Sequence, residues 1–444
     1  MKKLLLSASA FALVAASSMV LAPSKAEAIP AFARQTGSAC LACHFQEFPA
    51  LAPYGRAFKE GSFTSVGDQA LVEDDNLSIP SVLNATFVVR AQMVRTSTST
   101  ATTTAWVMPQ DQNFLIAGRA GTNTGVFVEF GGGTGDTQNG GVNNMQVMNS
   151  FDVGGFKMGL SWADTSFGAD STLAVNSVYG QHSGAVGDLG GSVGAINNSG
   201  FTNSIVGIGT WLGNDMGFVQ LALVAPGGAA GWLVAGTSGA GVNAANGTVN
   251  VGLKFAKLVK VAATLDVGGF DTVVGVGTVA GKVGKSNGAA TQGADMDMQW
   301  AYGQMQGDLG DMTLGVYADY AHAKGTTNGN ILGAQDTAGA IANANNIFNT
   351  YNALSSGEKF DAYSIRATLE PVNRVTFGVG YGYRKTNSAT VANQAKHNVT
   401  AVTASYQFYQ NMVLSVNYTN DKASAGAAAA TSTKTTTVDY LIML

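Results

Sequence analysis

Charge is the first scarcity in this chain. Only 12% of its 444 residues are Asp, Glu, Lys or Arg, half the ~25% usual in a soluble globular protein. A disordered chain would be charge-rich and poor in apolar residues, whereas 46% here are apolar. There is no basic excess, since 24 Lys and Arg stand against 28 Asp and Glu. That removes the electrostatic footprint of a nucleic-acid binder. Proline is rare, at 8 residues, while glycine reaches 57. Long apolar runs are missing beyond the N-terminus, and mean hydropathy is only +0.13, too low for a bundle of membrane helices. The nearest rival, Gly217 to Gly236, carries no charge but is interrupted by Pro226-Gly227-Gly228, which breaks a helix in mid-run. Residues 218–225 read instead as a strand.

What is present starts with an export signal. Lys2 and Lys3 precede the apolar stretch Leu4 to Leu21, and Ala26-Glu27-Ala28 is a small-x-small cleavage box. Residues 1–28 are read as a signal peptide, with the mature chain beginning at Ile29. From about Ser78 onward, apolar and polar-or-small residues alternate in segments of about ten residues, the signature of a transmembrane β-barrel. Phe156, Met158, Leu160 and Trp162 alternate with Lys157, Gly159, Ser161 and Ala163. Further alternating runs occur at 249–256, 259–267, 296–303, 363–370, 375–384, 400–408 and 412–419. The apolar set is expected to face lipid, and the polar set the lumen. On that parity Met296, Met298, Trp300 and Tyr302 point outward, while Glu129, Asp152, Asp266, Asp297 and Asp319 point inward. Trp300, Tyr302, Tyr381, Tyr383, Tyr406 and Tyr418 suit interfacial girdles.

Tight turns are expected at Leu258, at 308–311, at 371–373 and at Gln410-Asn411, on the periplasmic side. Long polar loops are expected at 131–143, 226–246, 269–293, 324–357 and 421–431, on the extracellular side. The fold class is therefore all-β: an outer-membrane barrel of about 16–18 antiparallel strands over residues 76–444. A soluble β-sandwich would alternate too, but it would carry more surface charge.

Both cysteines fall in Cys40-Leu41-Ala42-Cys43-His44, the C-x-x-C-H spacing of c-type haem attachment. Two thiols so spaced can add to the two vinyl groups of one haem, with His44 following as proximal ligand to the iron. A disulfide or a thioredoxin-like pair also fits C-x-x-C, but neither gives a reason for the adjacent histidine. Zinc would need further Cys or His ligands nearby, and residues 29–75 contain none. Residues 29–75 are thus read as a monohaem segment, close to the size at which a chain cannot build its own core. Phe32, Phe45, Phe48, Tyr54 and Phe58 are available to pack on a porphyrin or on the barrel wall. Arg34, Arg56 and Lys59 are available to haem propionates, and Glu73-Asp74-Asp75-Asn76 reads as a polar junction.

Around the cysteines, Ala31-Phe32-Ala33-Arg34-Gln35-Thr36-Gly37 and Phe48-Pro49-Ala50-Leu51-Ala52-Pro53-Tyr54-Gly55-Arg56-Ala57-Phe58-Lys59 form a pattern. It resembles the fused outer-membrane monohaem cytochrome–porin family of iron-oxidising bacteria, over residues 31–63. The resemblance implies a short cytochrome segment leading into a porin-like barrel, with a single covalent c-type haem (heme c). It also implies that electrons from extracellular Fe(II), or another reduced donor, pass to a periplasmic carrier such as a cytochrome or cupredoxin. That would make the chain an iron–cytochrome c oxidoreductase in a bacterial outer membrane, touching lipid on its outer face.

The second axial ligand stays open. The haem segment offers no Met and no second His; candidates from the barrel are His182, in an expected periplasmic turn, and Met148 and Met305, both given lumen parity. Tyr54, Lys59 or water would also serve. His322 and His397 fall near the extracellular ends. Gly284-Lys285-Ser286 lacks the first glycine of a phosphate-binding loop, and no Ser-His-Asp or paired-carboxylate set stands out. Two readings of function remain: an electron conduit, and a porin whose haem is structural or sensory. A haem segment docked in the periplasmic mouth, obstructing solute flow, would favour the first.

Overall fold

The computed structural model describes residues 30–131, 142–164, 192–196, 205–226, 255–283, 286–287, 290–291, 294–324, 359–387, 395–426 and 430–444. The expected signal peptide lies outside them. Three short helices open the described chain: α1 (Pro30–Thr36), α2 (Cys40–Cys43) and α3 (Pro53–Glu60). Pro53 begins α3, where its missing N–H costs nothing. A hairpin follows, β1 (Leu71–Asp74) with β2 (Leu77–Pro80). The expected polar junction at 73–76 is the bend of this hairpin, so the first barrel strand starts at Ala85 and not near Ser78.

The remaining strands are β3 (Ala85–Ser97), β4 (Thr102–Gly121), β5 (Thr124–Gly131), β6 (Val142–Val153), β7 (Phe156–Asp164), β8 (Ile205–Asn214), β9 (Gly217–Pro226), β10 (Ala256–Val267) and β11 (Phe270–Val283). A two-residue hairpin, β12 (Ser286–Asn287) and β13 (Ala290–Thr291), precedes β14 (Ala294–Leu309) and β15 (Met312–Lys324). The chain ends with β16 (Lys359–Val372), β17 (Val375–Asn387), β18 (Ala395–Tyr409), β19 (Met412–Ala425) and β20 (Thr431–Met443). Apart from the two small hairpins, these form one closed antiparallel barrel of 16 strands, with β20 paired to β3. The count lies within the expected range, and closure removes every free sheet edge.

One end of the barrel is made of two-residue turns. Gly154-Gly155 and Gly268-Gly269 all have positive φ, the backbone that a two-residue hairpin needs and glycine supplies. Gln410-Asn411 closes β18 onto β19 at the same end. Leu258, expected at a turn, is instead a buried residue of β10. The expected long loop at 269–293 is mostly β11. The alternating run at 249–256 and the loops at 226–246 and 324–357 fall largely outside the described residues, as does Gly284-Lys285.

Parity holds in most strands. Phe156, Met158 and Trp162 are exposed on the outer face, while Gly159 and Ser161 are buried within. The same holds for Ile365 against Ser364 and Arg366, and for Val261 against Lys260 and Ala262. In β14 it inverts. Met298, Trp300 and Tyr302 are buried inside, and Gln299 faces out. The cause lies on the neighbouring strand: a Cβ on Gly277 would stand 2.1 Å from the Trp300 ring, and one on Gly275 2.3 Å from the Tyr302 ring. The rings lie flat over glycines of β11, inside the barrel. Trp300 and Tyr302 are therefore not girdle residues, whereas Tyr406 keeps the outward parity, covered by its neighbours. Trp162, Tyr363 and Tyr418 do lie exposed on the outer face.

Candidate cofactor site

The main hydrophobic core is inside the barrel. Phe58 and Phe63 of the N-terminal segment pack with Leu115, Phe127, Met148, Trp211 and Trp300 from the wall, and Phe32 and Phe48 lie against the same cluster. Phe32 stacks on Phe63 at 5.0 Å and meets Phe58 edge-on at 5.1 Å. A segment too short to bury these rings alone thus uses the barrel as its second layer.

Polar contacts fix the segment around the whole circumference. The Ala31 N–H donates to Thr86 Oγ1 in β3 at 2.9 Å, and Arg34 donates to the Ala85 carbonyl. Arg119 of β4 donates to the Thr64 carbonyl at 3.0 Å. Trp211 of β8 donates to the Glu60 carbonyl at 3.2 Å. Arg56, itself buried, grips Asp271 of β11 with 2.8 and 2.7 Å bonds to its two oxygens. Gln46 donates to the Thr313 carbonyl of β15 at 2.9 Å, and Gln407 of β18 donates back to the Gln46 carbonyl at 2.7 Å. Leu41 donates to Gln410 in a two-residue turn at 3.0 Å. Many of these partners lie near the two-residue turns, so the segment closes that mouth. Arg34 and Arg56, expected to be free for propionates, are committed to the wall.

A second piece of chain enters the lumen. Residues 192–196, between β7 and β8, reach the opposite wall. The Ile196 N–H donates to Asp319 Oδ2 at 2.8 Å, and Val193 lies against Gly380 and Gly382 of β17.

The C-x-x-C-H turn sits in this closed end. Cys40 and Cys43 occupy one helical turn, α2, both buried and not bridged to each other. Helix α3 packs directly on that turn: a Cβ on Gly55 would come 2.2 Å from the Cys43 carbonyl oxygen. The chain then doubles back, pairing His44 with Leu51. His44 Nδ1 lies 3.3 Å from the Ala50 carbonyl, which makes Nδ1 the proton donor and leaves the Nε2 lone pair for a metal. Burial pushes the His44 pKa down to about 4; the Ala50 carbonyl works against the fall and Lys59 adds to it. The ring is therefore neutral, the ligating form. Burial likewise raises Cys43 to about 11. Two thiols on one turn and a neutral imidazole with its Nδ1 proton held by a carbonyl fit a covalently attached c-type haem. Zinc finds no set of three or more His, Cys, Asp or Glu among the described residues.

The barrel's candidate second ligands fare differently. Met148 does face the lumen and is fully buried, but it packs on the β5–β6 wall near Ser62 and Phe63. The loop after His44 is bonded to β15 and β18, across the ring. Met305 pairs with Thr272 and Val316 on the outward face, because β14 has the inverted parity; its expected lumen position is corrected. Asp297 is moved outward for the same reason and pairs with Lys324 at 3.1 Å. His182 lies outside the described residues. His322 and His397 are bound to Asp361 and Asp421, near the ends away from the two-residue turns, as expected.

No family model matches the chain, and no curated protein sequence does. Solved structures do. The outer-membrane channel DcaP of Acinetobacter baumannii aligns with a TM-score of 0.50 at 11% identity, over 84% of this chain and 99% of that one. An anion-selective porin from Comamonas acidovorans aligns at 0.47 and 13% identity, over 82% and 99%. OmpT of Vibrio cholerae aligns at 0.45 and 12% identity, over 84% and 100%. At such identities the likeness concerns the fold alone, and the fold is that of an outer-membrane porin barrel.

Proposed function

We propose that this chain is an electron conduit of a bacterial outer membrane. In this reading a c-type haem is joined to Cys40 and Cys43, with His44 as proximal ligand. Electrons pass from an extracellular reduced donor, Fe(II) first among them, to a periplasmic cytochrome or cupredoxin. The observation that carries the reading is a C-x-x-C-H turn anchored inside a porin barrel whose lumen is filled by chain. The choice of Fe(II) rests on the resemblance of residues 31–63 to the cytochrome–porin family. Bound there, the haem would supply one-electron exchange at its iron.

The chain's own residues hold and seal the site. His44 is oriented by Ala50, the cysteine turn is backed by Gly55, and the Arg56–Asp271 pair ties α3 to the wall. Residues 30–67 and 192–196 fill the lumen that a diffusion porin keeps open, which favours a conduit over a solute channel with a structural haem.

The test is a redox titration of the purified protein followed by stopped-flow mixing with Fe(II). The haem band should appear at one equivalent per chain and be reduced by Fe(II). A band that Fe(II) leaves oxidised, at a potential that permits reduction, would rule out this donor. A haem-stained gel band of normal intensity in Cys43→Ala would rule out the two-link attachment.

A further inference from the structure

We infer that the outward rim of β17, β18, β19, β20 and β3, at the ends away from the two-residue turns, is a binding surface for the phosphates of a phosphorylated lipid. The inference rests on the outer-membrane reading above. Register and parity place five cations there. Lys385 of β17 stands opposite Lys396 of β18. Lys422 of β19 is opposite Asn398, and Lys434 of β20 is opposite Asn420. Arg95 of β3 is opposite Thr436. Partners directly opposite share a face, and this is the face that carries exposed Phe377, Val379, Val402 and Tyr418. Lys396, Lys422, Lys434 and Arg95 are exposed.

The signs on the two faces of these strands differ. Inside, charges are matched: Arg90 meets Asp439 at 2.9 Å, and Arg384 meets Asp421 at 3.4 Å. Asp421 and Asp439 are the only carboxylates on the described residues of the five strands, and both point inward. The outer rim therefore carries cations without a carboxylate of its own; across the boundary, Asp361 of β16 faces Lys385 and also accepts from His322 and Tyr320. Like charges directly opposite on a sheet are destabilising, so the Lys385–Lys396 pair calls for an anion between or above it. In a chain of formal net charge −4, this sector runs against the overall sign.

Height identifies the occupant. Lys422 lies four positions beyond Tyr418, and Lys434 four positions from Val438. At ~3.3 Å per residue along a tilted strand, the cations stand on the order of 10 Å above the apolar band. That is the level of a lipid headgroup, where Lys and Arg attract anionic lipids. A soluble anion would have no reason to be met on the lipid-facing side.

The experiment uses the full-length protein in phosphatidylcholine vesicles containing bis-phosphorylated lipid A, fully dephosphorylated lipid A, or neither. Native mass spectrometry after detergent extraction then counts the lipid retained. The wild type should retain the phosphorylated form, and the dephosphorylated form at least about tenfold less. Replacing Lys385, Lys396, Lys422, Lys434 and Arg95 together by Gln should bring retention of the phosphorylated form down to that lower level. Equal retention of the two lipids by the wild type overturns the inference, as does undiminished retention in an inserted variant. If the variant fails to insert, the comparison of lipids on the wild type decides. Displacement by equimolar inorganic phosphate would make the rim a free-anion site and also overturn it. Failure of the outer-membrane reading is distinguishable, because the wild type would then not enter vesicles at all.

Discussion

Arg56 and Asp271 show how single residues hold the inner segment in place. The guanidinium is buried and meets both carboxylate oxygens, while Asp271 keeps partial access to solvent. Removing the acid strands a buried cation, which costs about 3–5 kcal/mol where burial is complete. Asp271→Ala should loosen the segment without opening the sheet, detected as faster proteolysis at residues 30–67 with unchanged β-structure by circular dichroism. Protection equal to wild type would mean that the apolar cluster alone suffices. Glu60 adds a pH dependence. Burial raises its pKa from 4.5 to about 7, Arg56 opposing the rise and Asp215 adding to it. A carboxyl whose docked pKa exceeds its free value favours docking while protonated. Its contribution is complete below about pH 4.5 and disappears as pH climbs through about 7. That amounts to no more than about 3 kcal/mol. Proteolysis of the segment should therefore quicken between about pH 5 and pH 8; burial raises Glu47 to about 7 as well, so Glu60→Gln should make that profile shallower and not abolish it. An identical profile in the variant would assign the dependence to another group.

At the scale of strands, legibility followed what fills the lumen. In β7, and along most of β10 and β16, the inward residues are small or polar and the outward ones apolar, with Leu258 and Phe360 inward and Lys257 and Asp361 outward as exceptions, so simple alternation identified the face. Strand β11 looked like a loop because Gly275, Gly277 and Gly281 interrupt it, and β14 looked lipid-facing on the wrong parity because its aromatics are large and apolar. Both departures have one cause: here the inner wall carries an apolar core, with Trp300 and Tyr302 filling the space the glycines leave. Periodicity reports apolar against polar and is blind to an apolar interior. The C-x-x-C-H turn was readable because its chemistry lies in local spacing. Met148 and Met305 were not separable, since their facing depends on register with neighbouring strands. The glycine–aromatic contact makes a measurable coupling. Gly277→Val should destabilise the barrel by about 1–3 kcal/mol through overpacking against Trp300, followed by urea unfolding. Combined with Trp300→Ala, the same change should cost less than the sum of the two alone. Strict additivity would show that the ring does not rest on residue 277.

For the whole molecule, the packing of described chain inside the lumen predicts a barrel of low conductance. Sixteen strands enclose an interior wide enough for an aqueous channel, yet two pieces of chain occupy it at different levels. Residues 30–67 close the mouth formed by the two-residue turns, tied to β3, β4, β8, β11, β15 and β18. Residues 192–196 reach the wall at Asp319 and at Gly380 and Gly382, farther toward the other end. The two obstructions act in series, so removing either leaves the other in the path. Deleting residues 31–75, with residues 1–30 kept, should give only a modest rise in single-channel conductance in planar bilayers. Replacing Asp319 by Ala in that background should raise it further, because Ile196 loses one of the contacts that hold the inner segment to the far wall. The single change Asp319→Ala in the full chain should leave conductance near its low starting value. If deletion of 31–75 alone produced a fully open pore, residues 192–196 would not constrict the lumen. If it changed nothing even with Asp319 replaced, the seal would lie elsewhere in the chain. Low conductance in the full chain would agree with the proposed conduit, which moves charge and not solute.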